Sequence, residues 1–133
     1  MRVSSSAGWL VLLLAVGCGG AGPSFTEDYN DAVTPIAELG DGLGTRPENY
    51  DRLADRTRQT RRNLARLEAP EGAGDELEAL LAGLDDVTSS LLGVARAARS
   101  EDPVRERRAA RRLERSNDEF RRAENALHRA VEG

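Results

Sequence analysis

An apolar or small residue recurs at alternating intervals of three and four positions in four successive segments of this 133-residue chain. The pattern places one apolar stripe along a helix, and such a stripe is buried against other helices. By segment, the stripe positions are Phe25, Tyr29, Ala32, Ile36 and Leu39; Tyr50, Leu53, Thr57, Thr60, Leu64 and Leu67; Leu77, Leu80, Leu84, Val87, Leu91, Val94 and Ala98; and Ala109, Leu113, Ser116, Phe120, Ala123, Leu127 and Ala130. No segment alternates with the period of two that is typical of a strand. The sequence therefore predicts an all-α fold.

Glycines and prolines divide the pattern into four helices. The predicted stops are the glycine-rich stretches 40–44 and 70–74, with a third boundary near Ser100. Short connections favour antiparallel neighbours, so we expect an antiparallel up-down bundle of about four helices. The first helix is predicted to be the shortest, because Pro35 lies inside its pattern and should kink or shorten it.

Helix-start signals precede each segment. Three of them match a capping box or its acidic version, in which a side chain bonds to a free backbone N–H group. They are Ser24-Phe-Thr-Glu27, Thr45-Arg-Pro-Glu48 and Asp75-Glu-Leu-Glu78. The fourth, Asp102-Pro103, places a proline in the first turn, where its missing N–H is tolerated.

Net charge alternates along the same segments. Residues 24–44 carry −5, residues 45–69 carry +3, residues 70–100 carry −4 and residues 101–133 carry +1. Opposite signs suit helices that pack side by side. Single exposed ion pairs contribute only about 0–1 kcal/mol, so the alternation biases topology more than stability.

The N-terminus has the pattern of a leader. Arg2 precedes an apolar run of eleven residues, 7–17, which is shorter than the roughly 20 residues of a membrane-spanning helix. The run ends in Ala15-Val16-Gly17-Cys18, which resembles the lipobox of bacterial lipoproteins, with Ala15 where leucine is commonest. An alternative is an ordinary secretory signal cut near Gly17, with Cys18 a bystander.

The resemblance implies a domain organisation and a compartment. Residues 1–17 would be a cleaved signal peptide, 18–23 a glycine-rich tether and 24–133 the helical bundle. Cys18 would carry a diacylglycerol, and its new amino group an acyl chain. The partner is then the membrane itself, on the extracytoplasmic side of the cell membrane or the outer membrane. Gly19 stands where aspartate would signal inner-membrane retention.

Composition excludes several functions. Without residues 1–17 the net charge is −5, so nucleic-acid binding is not expected. Cys18 is the one cysteine and His128 the one histidine, and no nucleophile, base and orienting group stand at a catalytic spacing. We therefore expect neither an enzyme nor a cofactor.

Glu124 and His128 stand four positions apart, which places them on one helical face. The pair could ligate a metal, but it lies off the apolar stripe, so we expect a solvated pair and no metal site. Asp85 and Asp86 could likewise contact a divalent ion, although exposed helix surface is favoured because no third ligand is near in sequence.

Two further clusters have alternative interpretations. The arginines of 105–112, with Arg115, could contact anionic lipid headgroups or an acidic partner, but interspersed acids favour a solvated mixed-charge face. Thr57, Thr60 and Ser116 could line a polar cavity or a partner seam, but bonds to backbone carbonyls or a place near one end of the bundle are favoured. Gly83 and Gly93, inside the third helix, either permit close helix approach or mark local flexibility.

Two functions remain open. The first is a lipid-anchored envelope protein that presents its bundle for protein interaction or a structural role. The second is a carrier or sensor that holds a small ligand in a pocket between helices. Leucine and alanine fill the stripes, which favours the first. An exposed apolar ridge would support docking, whereas an enclosed cavity near Thr57, Thr60 and Ser116 would support a carrier.

Overall fold

The computed structural model describes residues 23–41 and 43–132, which form four helices. Their bounds are α1 Pro23–Asp41, α2 Pro47–Ala65, α3 Gly74–Ser100 and α4 Pro103–Glu132. Each helix packs on the next one along the chain, and the described residues contain no strand. The predicted all-α bundle of four helices is confirmed.

Contacts between helices fix their directions. Arg99 near the end of α3 pairs with Asp51 near the start of α2, while Arg61 near the end of α2 pairs with Asp85 at mid-α3. These two helices therefore run antiparallel. The Arg61–Asp85 pair has the signs of the net charges of the two segments, whereas the Arg99–Asp51 pair has the reverse. A short turn at 101–102 reverses the chain again, with Glu101 in the left-handed conformation at a φ of 55°.

The core follows the predicted stripes in the first three helices. Every leucine and valine of the α3 stripe is buried, as are Phe25, Tyr29, Ile36, Tyr50, Leu53 and Leu64. Stripe positions near the ends, such as Leu39 and Leu67, are partly buried and pack against this core.

The buried face of α4 differs from its predicted stripe. The residues that repeat at four and three positions inside the core are Leu113, Asn117, Phe120, Glu124, Leu127 and Val131. This series shares its leucines and Phe120 with the predicted stripe, and Ser116 of that stripe is buried beside it, so the buried face is broader than the stripe. Because two of its members are polar, a search for apolar letters cannot find it.

Helix lengths correct one prediction and define the shape of the bundle. α1 and α2, with 19 residues each, are equally the shortest helices, so α1 is not shorter than α2, and it continues through Pro35. α4 has 30 residues, about 45 Å at 1.5 Å per residue, whereas α1 is about 28 Å long. Tyr29, in the second turn of α1, bonds to Glu124 near the end of α4. α1 therefore ends about 18 Å further on, near the level of Arg112.

Of the four predicted helix starts, one is correct and three are wrong. Asp102 caps α4, since its Oδ1 accepts the backbone N–H of Val104 at 3.0 Å and of Arg105 at 3.4 Å. Pro47 begins α2 and makes Arg46 its N-cap, so Thr45 makes no cap bond. Ala73 precedes α3 without a side-chain cap, while Asp75 lies in its first turn. Ser24 lies inside α1.

The leader, the lipobox and Cys18 lie outside the described residues. Within residues 23–41 and 43–132, no helix combines the length and apolarity needed to cross a membrane.

Candidate functional site

A cleft of about 420 Å³ lies between the C-terminal half of α3 and the N-terminal half of α4. We call it the arginine cleft. Its lining residues are Ser90, Gly93, Arg96, Ala97 and Ser100 from α3, and Arg105, Arg108, Ala109, Arg112 and Arg115 from α4. Five of these side chains are guanidinium groups and none is acidic, so the cleft concentrates positive charge in a chain whose net charge is −4.

Helical spacing gathers the arginines. Arg105, Arg108, Arg112 and Arg115 stand three, four and three positions apart, so they project from one face of α4. Neighbours at these spacings have Cβ atoms about 5–6 Å apart. Arg96 completes the set from α3.

Small side chains leave the space that the arginines surround. Gly93, Ala97 and Ala109 line the cleft at positions where a leucine would fill it. An added Cβ on Gly93 would meet no atom within 4 Å, whereas one on Gly83 would lie 3.6 Å from Phe120. α3 and α4 are therefore close together around Gly83 and leave a gap beside Gly93.

A hydroxyl pair borders the cleft. The Oγ atoms of Ser90 and Ser116 are 2.7 Å apart, and both residues are buried. Ser90 also lines the cleft. Ser116, expected to bond to a backbone carbonyl, bonds instead to this second hydroxyl.

Charges of the cleft arginines are weakly compensated by the chain. Arg105 Nε lies 3.6 Å from Asp102 Oδ2, in an exposed pair of the kind that contributes little. Like charges three or four positions apart on a helix repel each other. Arg107 and Arg111, on the same turns, do not line the cleft, so the predicted mixed-charge cluster is divided between two faces.

The chemistry available in the cleft is binding. A guanidinium stays protonated and offers a planar fork of donors that matches two oxygens of a phosphate or carboxylate. None of the described lining residues is a carboxylate, a histidine or a cysteine. The lining thus offers positive charge and hydrogen-bond donors to an anion.

Glu124 and His128 do not form the predicted solvated pair. Glu124 is only 2% exposed, and its Oε2 accepts the Tyr29 hydroxyl at 2.8 Å. His128 turns the other way, with Nε2 3.1 Å from Glu132 Oε1. Burial, followed by the neighbouring Glu124 charge, raises the pKa of Tyr29. The prediction was wrong because the core-facing side of α4 is broader than one stripe.

Other candidates have structural roles. Thr57 donates to the Leu53 carbonyl at 2.7 Å, and Thr60 donates across to the Ala32 carbonyl of α1 at 3.0 Å. These backbone bonds confirm the expectation for both threonines. Asp85 and Asp86 are exposed, and Asp85 pairs with Arg61. Among the described residues no group of three metal-ligating side chains forms.

Sequence reasoning singled out the α4 arginines but missed Arg96 and the cleft itself. Arg96 is one of two arginines in residues 70–100, an otherwise acidic segment. A lone arginine in an acidic segment was the only signal that the sequence offered for Arg96. The antiparallel packing of α3 on α4 is what places Arg96 beside the α4 arginines.

Comparison of the chain with protein-family models, with curated proteins and with solved structures finds no match.

Proposed function

We propose that the chain is a lipid-anchored protein of the cell envelope whose helical bundle is a binding module, with the arginine cleft as its site for an anionic partner. The observation that carries the proposal is the convergence of five arginines, and no acid, on one cleft. Their positive charge favours a partner that carries several negative charges. The proposal assigns no catalytic step, cofactor or resident metal.

The anchor half of the proposal rests on sequence. Ala15-Val16-Gly17-Cys18 has the lipobox pattern, and residues 19–22 separate Cys18 from the start of α1. Two or three acyl chains on one cysteine anchor firmly, since each buried CH₂ contributes roughly 0.8 kcal/mol.

Position within the bundle supports a partner that is not the anchoring bilayer. α1 begins near the C-terminal end of α4, because Tyr29 bonds to Glu124. The cleft arginines belong to the other half of α4, about 30 Å away along the helix. A bundle standing on its tether thus holds the cleft away from the membrane.

An anionic partner also fits better than an apolar one. Of the large hydrophobic side chains in the described residues, only Val104 is exposed, at 54%. The apolar ridge that would favour hydrophobic docking is therefore missing from these residues, while the charged cleft is present.

The second function, a small-ligand carrier or sensor, has an observation of its own. Ligand pockets measure roughly 300–1,000 Å³, and the arginine cleft, at about 420 Å³, lies in that range. It opens between two helices, as a carrier pocket would. Its lining includes Ser90, which bonds to Ser116, but neither Thr57 nor Thr60.

The anchor is tested by replacing its cysteine. Cys18→Ser should release the protein from the membrane fraction and abolish incorporation of a labelled fatty acid. Ser24→Ala, a hydroxyl change past the tether, is the control and should stay membrane-bound. Retention of the Cys18→Ser protein in membranes would contradict the anchor.

The cleft is tested with anionic probes of two classes, a hexaglutamate peptide and inorganic pyrophosphate. Detergent-extracted protein should bind at least one of them, as measured by calorimetry, and Arg108→Gln/Arg112→Gln should weaken that binding. Arg107→Gln/Arg111→Gln removes the same charge on the same turns but outside the cleft. If neither probe distinguishes the two variants, the cleft is not a binding site.

A further inference from the structure

The arginine cleft also carries information about which anion it binds, an inference that rests on the proposed function. We infer that its ligand carries a phosphate group, held between the arginines of α4 and Arg96 of α3.

Size argues against a peptide segment. An α-helix with its side chains is about 10–12 Å wide, and an acidic helix needs a groove along several turns to place its carboxylates. The cleft has a volume of about 420 Å³, and Ser90, which lines it, is buried and bonded to Ser116. That space suits a compact group with its charge at one centre.

Charge placement argues for phosphate over a single carboxylate. A carboxylate offers one charge and two oxygens, whereas a phosphate monoester carries close to two charges and three acceptor oxygens near neutral pH. Arg105, Arg108 and Arg112 project side by side from α4 and Arg96 lines the cleft from α3. Guanidinium forks approaching from two helices can share the oxygens of one phosphate or of a diphosphate.

Apolar surface in the same cleft distinguishes two sources of phosphate. Gly93, Ala97 and Ala109 form a floor without charge in the cleft. A lipid headgroup could place its glycerol and the first acyl carbons on this floor. A free diphosphate would use only the arginines.

The experiment is a calorimetric titration of the full detergent-extracted protein with three probes. They are inorganic pyrophosphate, a short-chain phosphatidic acid below its micelle concentration, and hexaglutamate. We expect a phosphate probe to bind more tightly than hexaglutamate and to lose affinity as salt rises. Tighter binding of phosphatidic acid identifies a lipid headgroup as the source, and tighter binding of pyrophosphate identifies a free phosphate compound.

Matched double variants locate the binding. Arg108→Gln/Arg112→Gln should lower the affinity for the phosphate probe by at least about tenfold, which is the effect of losing one charge-assisted hydrogen bond. Arg107→Gln/Arg111→Gln should change it by less than about threefold, because a screened charge outside the cleft acts weakly. Circular dichroism should show both variants equally helical, since all four arginines are exposed.

Failures of the two proposals are distinguishable. If only hexaglutamate binds and depends on the cleft variant, the phosphate inference is overturned and the proposed function stands. Equal loss in both double variants would mean that bulk charge, not the cleft, attracts phosphate, and would also overturn the inference. If no probe binds, the proposed function falls with it.

Discussion

From Leu113 to its end α4 buries a residue in every turn, whereas from Pro103 to Arg112 it buries none. Both stretches belong to one uninterrupted helix and both face α3. The C-terminal stretch is also opposite α1, as the Tyr29–Glu124 bond shows. The N-terminal stretch extends past the end of α1 and leaves the arginine cleft open beside it.

Polar residues have opposite roles in the two stretches. Glu124 is buried and hydrogen-bonded to Tyr29 in the packed half, where an unpaired polar group would be costly. Arg108 and Arg112 are exposed in the open half and line a cleft. Glu124 is thus enclosed where α1 lies opposite α4, whereas Arg108 and Arg112 stay exposed at or beyond the level at which α1 ends.

The largest expected difference between the halves is in packing. Phe120→Ala should lower the free energy of unfolding by about 3–5 kcal/mol, because it empties a space in the core beside Gly83. Val104→Ala, in the open half, should change it by less than about 0.5 kcal/mol. Urea unfolding followed by circular dichroism measures both. Similar losses would show that both halves pack equally.

An intermediate effect is expected at the buried hydrogen bond. Tyr29→Phe keeps the ring but removes the donor to Glu124, which should cost about 1–3 kcal/mol. Thr34→Val, which removes a local bond from a half-buried threonine to the Asn30 carbonyl, is a control from the same helix and should cost about 1 kcal/mol or less. If the Tyr29→Phe protein is as stable as the wild type, the Tyr29–Glu124 hydrogen bond does not stabilise the fold.

The same tyrosine predicts a pH dependence. Burial raises the pKa of Tyr29 in the folded state above the ordinary value of 10.0. Above that pH the unfolded chain releases the proton while the folded chain keeps it, so stability is complete below it and falls as pH rises. The Tyr29 contribution to the slope approaches about 1.4 kcal/mol per pH unit. Tyr29→Phe should show a shallower decline, with Tyr50, whose pKa burial also raises, accounting for the remainder.

The sequence predicted the number of helices and most of the core. Leucines and valines spaced alternately three and four positions apart form one apolar stripe on a helix, and that stripe is stable only when it is buried. The prediction of the core failed where a buried position is occupied by a polar residue. Asn117 and Glu124 continue the α4 series, yet only the neighbouring Tyr29 hydroxyl makes the burial of Glu124 acceptable. That partner is 95 residues away in the chain, so local periodicity contains no sign of it.

The sequence predicted part of the candidate site. Four of its arginines stand in one charged run, and the sequence identified that run as a possible anionic contact. Their division into cleft and outer face depends on helix rotation, and the cleft depends on small residues of α3 meeting small residues of α4. Neither is a property of one segment. The helix-start errors are of another kind, since Pro47 begins α2 one position after the start that Thr45 predicts.

The smallest stability effect separates the two halves along α3. Gly93→Ala and Gly83→Ala should each stabilise the protein by about 0.5–1 kcal/mol, because alanine favours a helix interior and neither new Cβ meets a hard contact. Binding of the phosphate probe should then distinguish them. The methyl group at position 93 takes space in the cleft and should weaken binding, while the one at position 83 faces Phe120 and should leave binding unchanged. Thermal unfolding and the calorimetric titration measure both quantities. Equal effects of the two alanines on binding would mean that the gap beside Gly93 does not hold the ligand.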